Sequence, residues 1–201
     1  MTAEEFRRQI GVSRETLDRL SRYVAVLERW QPRINLVGRS TLADVWRRHM
    51  LDSAQLHALL PPGATRLVDL GSGAGFPGMV LAIMGVPDVH LIESNHRKAA
   101  FLGEVSRETS AAVTVHPRRI EAVVPFAADV VTARALAPLD QLVRWARPFA
   151  GEETVMLFHK GQHVDNDLTQ ATSCRNMRVQ SVPSVSDSTG TILRLTRAGR
   201  A

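Results

Sequence analysis

From Arg66 onward, short apolar runs alternate with longer segments whose apolar residues recur at helical spacing. The runs are Leu67 to Leu70, Val89 to Ile92, Val113 to His116, Val130 to Thr132 and Val155 to Phe158. Runs with so little polar alternation fit strands buried on both faces. Their alternation with helices predicts an α/β fold, a mostly parallel sheet covered on both sides. Helices are expected from about Phe76 to Met84, from about His96 to Thr109, and from Pro138 through Leu142 and Trp145. The last 30 residues are poorly patterned, with Thr191 to Thr196 reading as a final strand, and residues 165–190 lack a clear helical pattern.

The pattern before Arg66 is helical. Thr2 and Glu5 have capping-box spacing, and Ser13 can cap a second helix in which Leu17, Leu20, Val24 and Leu27 form a stripe that must pack on the sheet domain. Pro32 ends it. Ser40 or Thr41 is expected to cap a helix through Trp46, with Arg47, Arg48 and His49 near its end, and Asp52 or Ser53 to start another towards Leu60. Pro61, Pro62 and Gly63 mark a junction. The expected division is a helical extension over residues 1–63 and a Rossmann-like doubly wound domain over residues 64–201.

Candidate chemistry concentrates in RLVDLGSGAGFPG, Arg66 to Gly78. The first strand carries Asp69, and Gly71, Gly73 and Gly75 follow, allowing positive φ and close approach of the backbone to a ligand. The helix behind them is expected to aim its first N–H groups at that ligand. The second strand ends in Glu93, twenty-two residues after Gly71, where a carboxylate can take both hydroxyls of a ribose. A dinucleotide fingerprint would place its third glycine at Phe76, and Pro77 removes one N–H from the helix start. Both departures favour a nucleoside without phosphates, which S-adenosylmethionine fits, over a nicotinamide cofactor. Ile120 and Glu121, after the third strand, stand where an apolar side chain packs on an adenine ring and a carboxylate accepts from its amino group.

Composition narrows the setting. The 201 residues, 44% hydrophobic and 22% charged, suit one domain with a modest extension, and no apolar run approaches the roughly 20 residues that span a bilayer. The N-terminus has no apolar signal core, so a cytoplasmic protein is expected, with no membrane partner. Cys174 is the only cysteine, and His49 has no partner at ligand spacing, so no metal is expected. The net charge of +5 is unevenly placed: residues 1–65 carry ten arginines against seven acids, 172–201 five against one, and 66–171 ten basic residues against twelve acids. Basic flanks around a slightly acidic centre point to an anionic partner, nucleic acid first. A monomer is the default expectation. Arg48, His49 and Asp52 read as a local charged cluster or as substrate-facing groups.

These residues together resemble the bacterial ribosomal small-subunit methyltransferase G family, also called the glucose-inhibited division protein B family. The matches are INLV at Ile34 to Val37, RHMLDS at Arg48 to Ser53, VDLGSGAGFPG at Val68 to Gly78, RIE at Arg119 to Glu121, ARAL at Ala133 to Leu136, and KG at Lys160. The resemblance implies a class I methyltransferase moving the methyl of S-adenosylmethionine to N7 of one guanine in 16S rRNA, either free or within the small subunit. It also implies that Gly71, Phe76, Ile120, Glu121 and Arg134 contact the cofactor. Pro32 departs from the family, which commonly has a basic or polar residue there.

The residues agree with that chemistry. Guanine N7 carries a lone pair and no proton, so alignment rather than a base is required. The Asn/Asp-Pro-Pro-aromatic motif of exocyclic-amine methylation is replaced by Thr132-Ala133-Arg134-Ala135. Arg134 emerges near the reacting methyl and is the catalytic candidate, holding either an RNA phosphate or the cofactor carboxylate; Lys160, after the fifth strand, suggests a phosphate contact. The competing readings are a non-catalytic RNA-binding module on the same fold, disfavoured by the intact glycines and Glu93, and a small-molecule methyltransferase, disfavoured by the basic flanks.

Overall fold

The computed structural model describes residues 1–134, 136–161, 172–174 and 176–198. Seven strands, β1 (Arg66–Leu70), β2 (Asp88–Ile92), β3 (Val113–His116), β4 (Ala128–Arg134), β5 (Ala150–Lys160), β6 (Met177–Pro183) and β7 (Thr191–Arg197), form one sheet in the order β3-β2-β1-β4-β5-β7-β6. The first five pair parallel, and β7 lies antiparallel between β5 and β6. β6 has no counterpart in the sequence pattern, because this edge strand is largely exposed and carries little of the apolar signal of a buried strand. Of the stretch 165–190, residues 165–171 and 175 lie outside the described residues.

Successive β1 side chains go to opposite faces, which splits the core in two. Leu67 joins one cluster with Val89, Leu91, Val130 and Leu157, while Val68 and Leu70 join the other with Ile92, Val131 and Phe158. Helices α2 (Arg14–Trp30), α5 (Gly78–Ile83) and α6 (His96–Thr109) cover the first face; α7 (Leu139–Ala146) covers the second. The α2 stripe buries Leu17, Leu20, Tyr23, Val24 and Leu27. At about 1.5–3 kcal/mol per buried side chain, that is on the order of 10 kcal/mol gross, enough to fix the extension to the sheet domain. Arg19 adds polar anchors, donating to Thr109 O at 2.7 Å and Ser110 O at 3.2 Å, at the negative end of α6.

Helix starts follow the sequence at the N-terminus and depart from it later. Thr2 and Glu5 form the full capping box of α1 (Ala3–Ile10), and Ser13 caps α2. By contrast, α3 is a single turn, Arg39–Leu42, capped by Gly38 rather than by Ser40 or Thr41. Asp52 opens an α-helical turn, but as the continuation of a helix already under way rather than as a capped start. A continuous helical run covers residues 46–59: a π-turn at Trp46–Leu51, α4 (Asp52–Ala54) and a 3₁₀ turn at Gln55–Leu59. The Asp52 N–H reaches back to Arg47 O and His49 O inside that run. Its side chain has partners elsewhere, in Arg134 and Ser186, which override its capping preference. α5 begins two residues later than its pattern suggests, at Gly78.

Candidate active site

Two clefts open at the carboxyl edge of the parallel strands, one after β1, where the strand order reverses and α/β sheets bind ligands, and the other after β4 and β5. The first, of 370 Å³, is walled by Gly71 and Gly73 after β1, Glu93 after β2, Ile120 and Glu121 after β3, and Arg134 at the end of β4. Glu93 is only 7% exposed. Its Oε2 accepts the Gly73 N–H at 2.8 Å and its Oε1 the Asn95 N–H at 2.7 Å. The carboxylate therefore ties the glycine loop to β2, and each oxygen keeps a second lone pair for a hydroxyl. Gly73, at φ +57°, has only Gly71 O, at 3.8 Å, near the place a Cβ would take. An acid for a diol, a Cβ-free backbone wall and an apolar Ile120 fit a nucleoside such as S-adenosylmethionine.

Three residues singled out in the sequence stand behind this wall. Asp69 is fully buried, accepts from Thr132 Oγ1 at 2.7 Å and packs on Gly78, whose N–H faces its carboxyl. The start of α5 thus serves Asp69 rather than the cleft. Burial pushes the Asp69 pKa up to about 6, against the Thr132 hydrogen bond and the nearby Ser72 hydroxyl and Gly78 N–H. At Gly75 (φ +91°), an added Cβ would meet Tyr23 Oη at 2.7 Å and Met79 Cβ at 2.9 Å. Phe76 is sandwiched between the Tyr23 ring at 5.3 Å and the His49 ring at 4.9 Å. Its face carries the Arg134 guanidinium, 5.0 Å from the centroid.

The second cleft, of 440 Å³, is lined by Arg48, His49, Asp52, Arg134, His159 and Lys160 together with the β6–β7 turn. Arg134 lines both clefts. Its Nη1 donates to Asp52 Oδ2 at 3.1 Å and Arg48 O at 3.3 Å, and its Nη2 to His49 Nδ1 at 3.0 Å. Three of its five N–H groups are thus committed, leaving two for a ligand. His49 accepts at Nδ1, so Nε2 carries the proton and donates to Thr41 Oγ1 at 2.8 Å. Burial, reinforced by Arg134, drives the His49 pKa down to about 3, so the ring stays neutral. Burial works to raise the Asp52 pKa, but His159, Ser186 and Arg134 outweigh it and keep the group ionised. With these side chains committed to one another, the site is built to position reactants.

Several participants had no signal in the sequence. Trp145 donates from Nε1 to Glu121 Oε1 at 2.7 Å and so fixes the turn after β3. Ser186 donates to Asp52 Oδ1 at 2.6 Å, and Asp187 accepts from Arg48 Nη1 at 2.6 Å. Lys160 lines the second cleft and donates to Ala137 O at 3.1 Å. Among the described residues there is no cluster suited to a metal ion and no helix long and apolar enough to cross a membrane.

The strand order, with a cleft at its reversal point lined by the glycine loop and Glu93, is that of a class I S-adenosylmethionine-dependent methyltransferase. Solved structures with the same fold include a ribosomal protein L11 methylase from Lactobacillus delbrueckii subsp. bulgaricus (TM-score 0.62, 15% identity, 73% of this chain and 79% of that one). A putative S-adenosylmethionine-dependent methyltransferase from Methanococcus maripaludis is also similar (TM-score 0.64, 7% identity, 81% and 93%). The sequence carries the identification further. The family model of rRNA small subunit methyltransferase G matches residues 16–193. Curated relatives named ribosomal RNA small subunit methyltransferase G are 56% identical in Paramagnetospirillum magneticum, over 100% of this chain and 98% of that protein, and 56% identical in Rhodospirillum rubrum, over 100% of both. The chain belongs to this family and is an rRNA methyltransferase that uses S-adenosylmethionine.

Proposed function

We propose that the 370 Å³ cleft holds S-adenosylmethionine, that the 440 Å³ cleft takes a guanine of the small-subunit 16S rRNA, and that methyl transfer to N7 occurs beside Arg134. The observation that carries this reading is that Arg134 lines both clefts. When bound, S-adenosylmethionine supplies an electrophilic methyl group on a sulfonium. Glu93 takes the ribose hydroxyls, Ile120 and Glu121 flank the adenine, and the backbone at Gly71 and Gly73 lets the nucleoside lie close. Arg134 offers its two remaining N–H groups to the cofactor carboxylate or to the incoming nucleotide. Arg48, His49 and Lys160 line the base-accepting side. No proton leaves N7, so the committed state of His49 and Asp52 is no obstacle, and orientation supplies roughly 7–11 kcal/mol of barrier lowering. The reading extends to a cytoplasmic monomer that requires no metal, because the sulfonium already activates the methyl group.

The test is transfer of labelled methyl from S-adenosylmethionine to small-subunit rRNA, free and within subunits, with the modified base mapped. Label at a single guanine N7 is expected. Label at another atom, or none with cofactor binding intact, would overturn the reading.

A further inference from the structure

The sequence has two basic flanks, and the structure separates them. Beside the second cleft, and sharing Gly38 with it, is a hollow of 470 Å³ lined by Gln31, Pro32, Arg33, Ile34, Asn35, Gly38 and Arg39. The Gln31 side chain builds this loop. Its Oε1 accepts the N–H groups of Leu36 and Val37, both at 3.1 Å, and its Nε2 donates to Val37 O at 2.7 Å. Leu36 and Val37 are buried and root the loop in the core. Arg33, Asn35 and Arg39 are left exposed on a fixed backbone.

The charge of this hollow is unopposed. Arg33 and Arg39 make no ion pair among the described residues, whereas Arg47 is paired with Asp44 and Arg48 with Asp187. No carboxylate lines the hollow. Two exposed guanidinium groups on a braced loop, beside the Asn35 side chain and with no acid, form a donor set for phosphate oxygens. Two C-terminal arginines, Arg194 and Arg197, face a different setting. β7 runs away from the clefts, with Thr191 opposite Lys160 and Leu195 opposite Met156. Arg194 and Arg197 there share a hollow with Glu152 and Glu153, and Arg197 lies 3.6 Å from Glu152.

We propose that the 31–39 loop is the RNA dock: Arg33 and Arg39 bind phosphodiesters of the strand flanking the target base and so seat that base in the adjoining cleft. This rests on the assignment of that cleft to the guanine. Because one loop, Leu36 to Gly38, walls the cleft and carries the dock at its back, phosphate binding and base entry are geometrically linked.

The experiment measures binding of small-subunit rRNA to the full chain across a salt series. The wild type is compared with Arg33→Ala/Arg39→Ala, with Arg33→Lys/Arg39→Lys, and with Arg194→Ala/Arg197→Ala. Loss of two phosphate contacts lowers the slope of log K against log salt by about 1.4. That loss is expected for the first pair only, with RNA KM raised and the calorimetric affinity for S-adenosylhomocysteine unchanged, which also certifies folding; the lysine pair keeps the wild-type slope. An unchanged slope in Arg33→Ala/Arg39→Ala, or equal losses in both alanine pairs, overturns the proposal. So does weakened binding to assembled subunits with unchanged binding to RNA, which would assign the loop to a ribosomal protein. Failure of the wild type itself to methylate or bind RNA would instead remove the functional reading.

Discussion

Glu93→Gln is the substitution that most directly tests the cofactor cleft. It keeps the volume of a residue that is only 7% exposed and removes one acceptor oxygen. In the native structure both oxygens are engaged, one by Gly73 N–H at 2.8 Å and the other by Asn95 N–H at 2.7 Å. In the variant one backbone N–H must face an amide N–H, which costs about 1–2 kcal/mol of stability. For a chain of this size that lowers Tm by about 2–8 °C. The ribose loses a charge-assisted acceptor worth about 1.5–3 kcal/mol, so the Kd for S-adenosylhomocysteine should rise roughly 10- to 150-fold. Because the ribose is remote from the transferred methyl, the KM for S-adenosylmethionine should rise while kcat at saturation stays near wild type. Calorimetry and a thermal melt on the same preparation separate the two effects. A Kd within threefold of wild type would show that Glu93 only staples the glycine loop.

Two further substitutions probe residues behind the cleft. Gly75→Ala forces an L residue to φ +91° and a Cβ to within 2.7 Å of Tyr23 Oη and 2.9 Å of Met79 Cβ. Strain and overpacking together should cost about 2–5 kcal/mol. Cofactor affinity should survive in the folded fraction; weakened binding without loss of Tm would place Gly75 in the cleft wall after all. Asp69→Asn tests a buried carboxyl whose pKa is raised from 3.8 to about 6. A raised folded-state value means its favourable contribution is complete below about pH 3.8 and lost as pH rises through about 6, so at pH 8 the ionised group costs the fold about 3 kcal/mol. The stability of the variant relative to wild type should therefore increase by about 1.4 kcal/mol from pH 5 to pH 8, read by urea unfolding. Neutral His49, held at about 3, acts oppositely over that range, losing stability as pH falls below about 6.5, which is why the difference is the informative quantity. A constant difference would mean that Asp69 does not titrate there.

How legible each part was depends on how local its causes are. β1 and the glycines after it stood out because a strand buried on both faces and a loop at positive φ leave their marks within a dozen residues. Glu93 was readable because β2 ends just before it. The same motif also holds residues whose reasons lie elsewhere: Gly75 answers to Tyr23, and Asp69 to Thr132. The π-turn at Trp46–Leu51 hid because hydrophobic periodicity does not report one extra residue in a turn. The wall of the second cleft was beyond reach. Ser186 meets Asp52 across 134 positions and Asp187 meets Arg48 across 139, and no spacing rule links such pairs.

The helical extension does more than cover the sheet. Its π-turn turns Arg48 O, the His49 ring and the Asp52 carboxylate onto Arg134, and its Tyr23 hydroxyl donates to Ala74 O in the glycine loop. These contacts depend on one another. At an effective dielectric near 20, two like charges about 4 Å apart repel by about 4 kcal/mol, so a protonated His49 would push Arg134 from its seat while losing the lone pair that holds it. The low His49 pKa, set first by burial, is driven further down by the Arg134 guanidinium seated on the ring, and Phe76 packs against both groups. The wall between the clefts is consequently composite: β4 supplies the guanidinium, the glycine loop supplies its aromatic floor, and the extension supplies each of its three acceptors. A substitution at Arg48, His49 or Asp52 therefore alters the wall between the clefts, although these residues lie more than 80 positions from Arg134 in the chain.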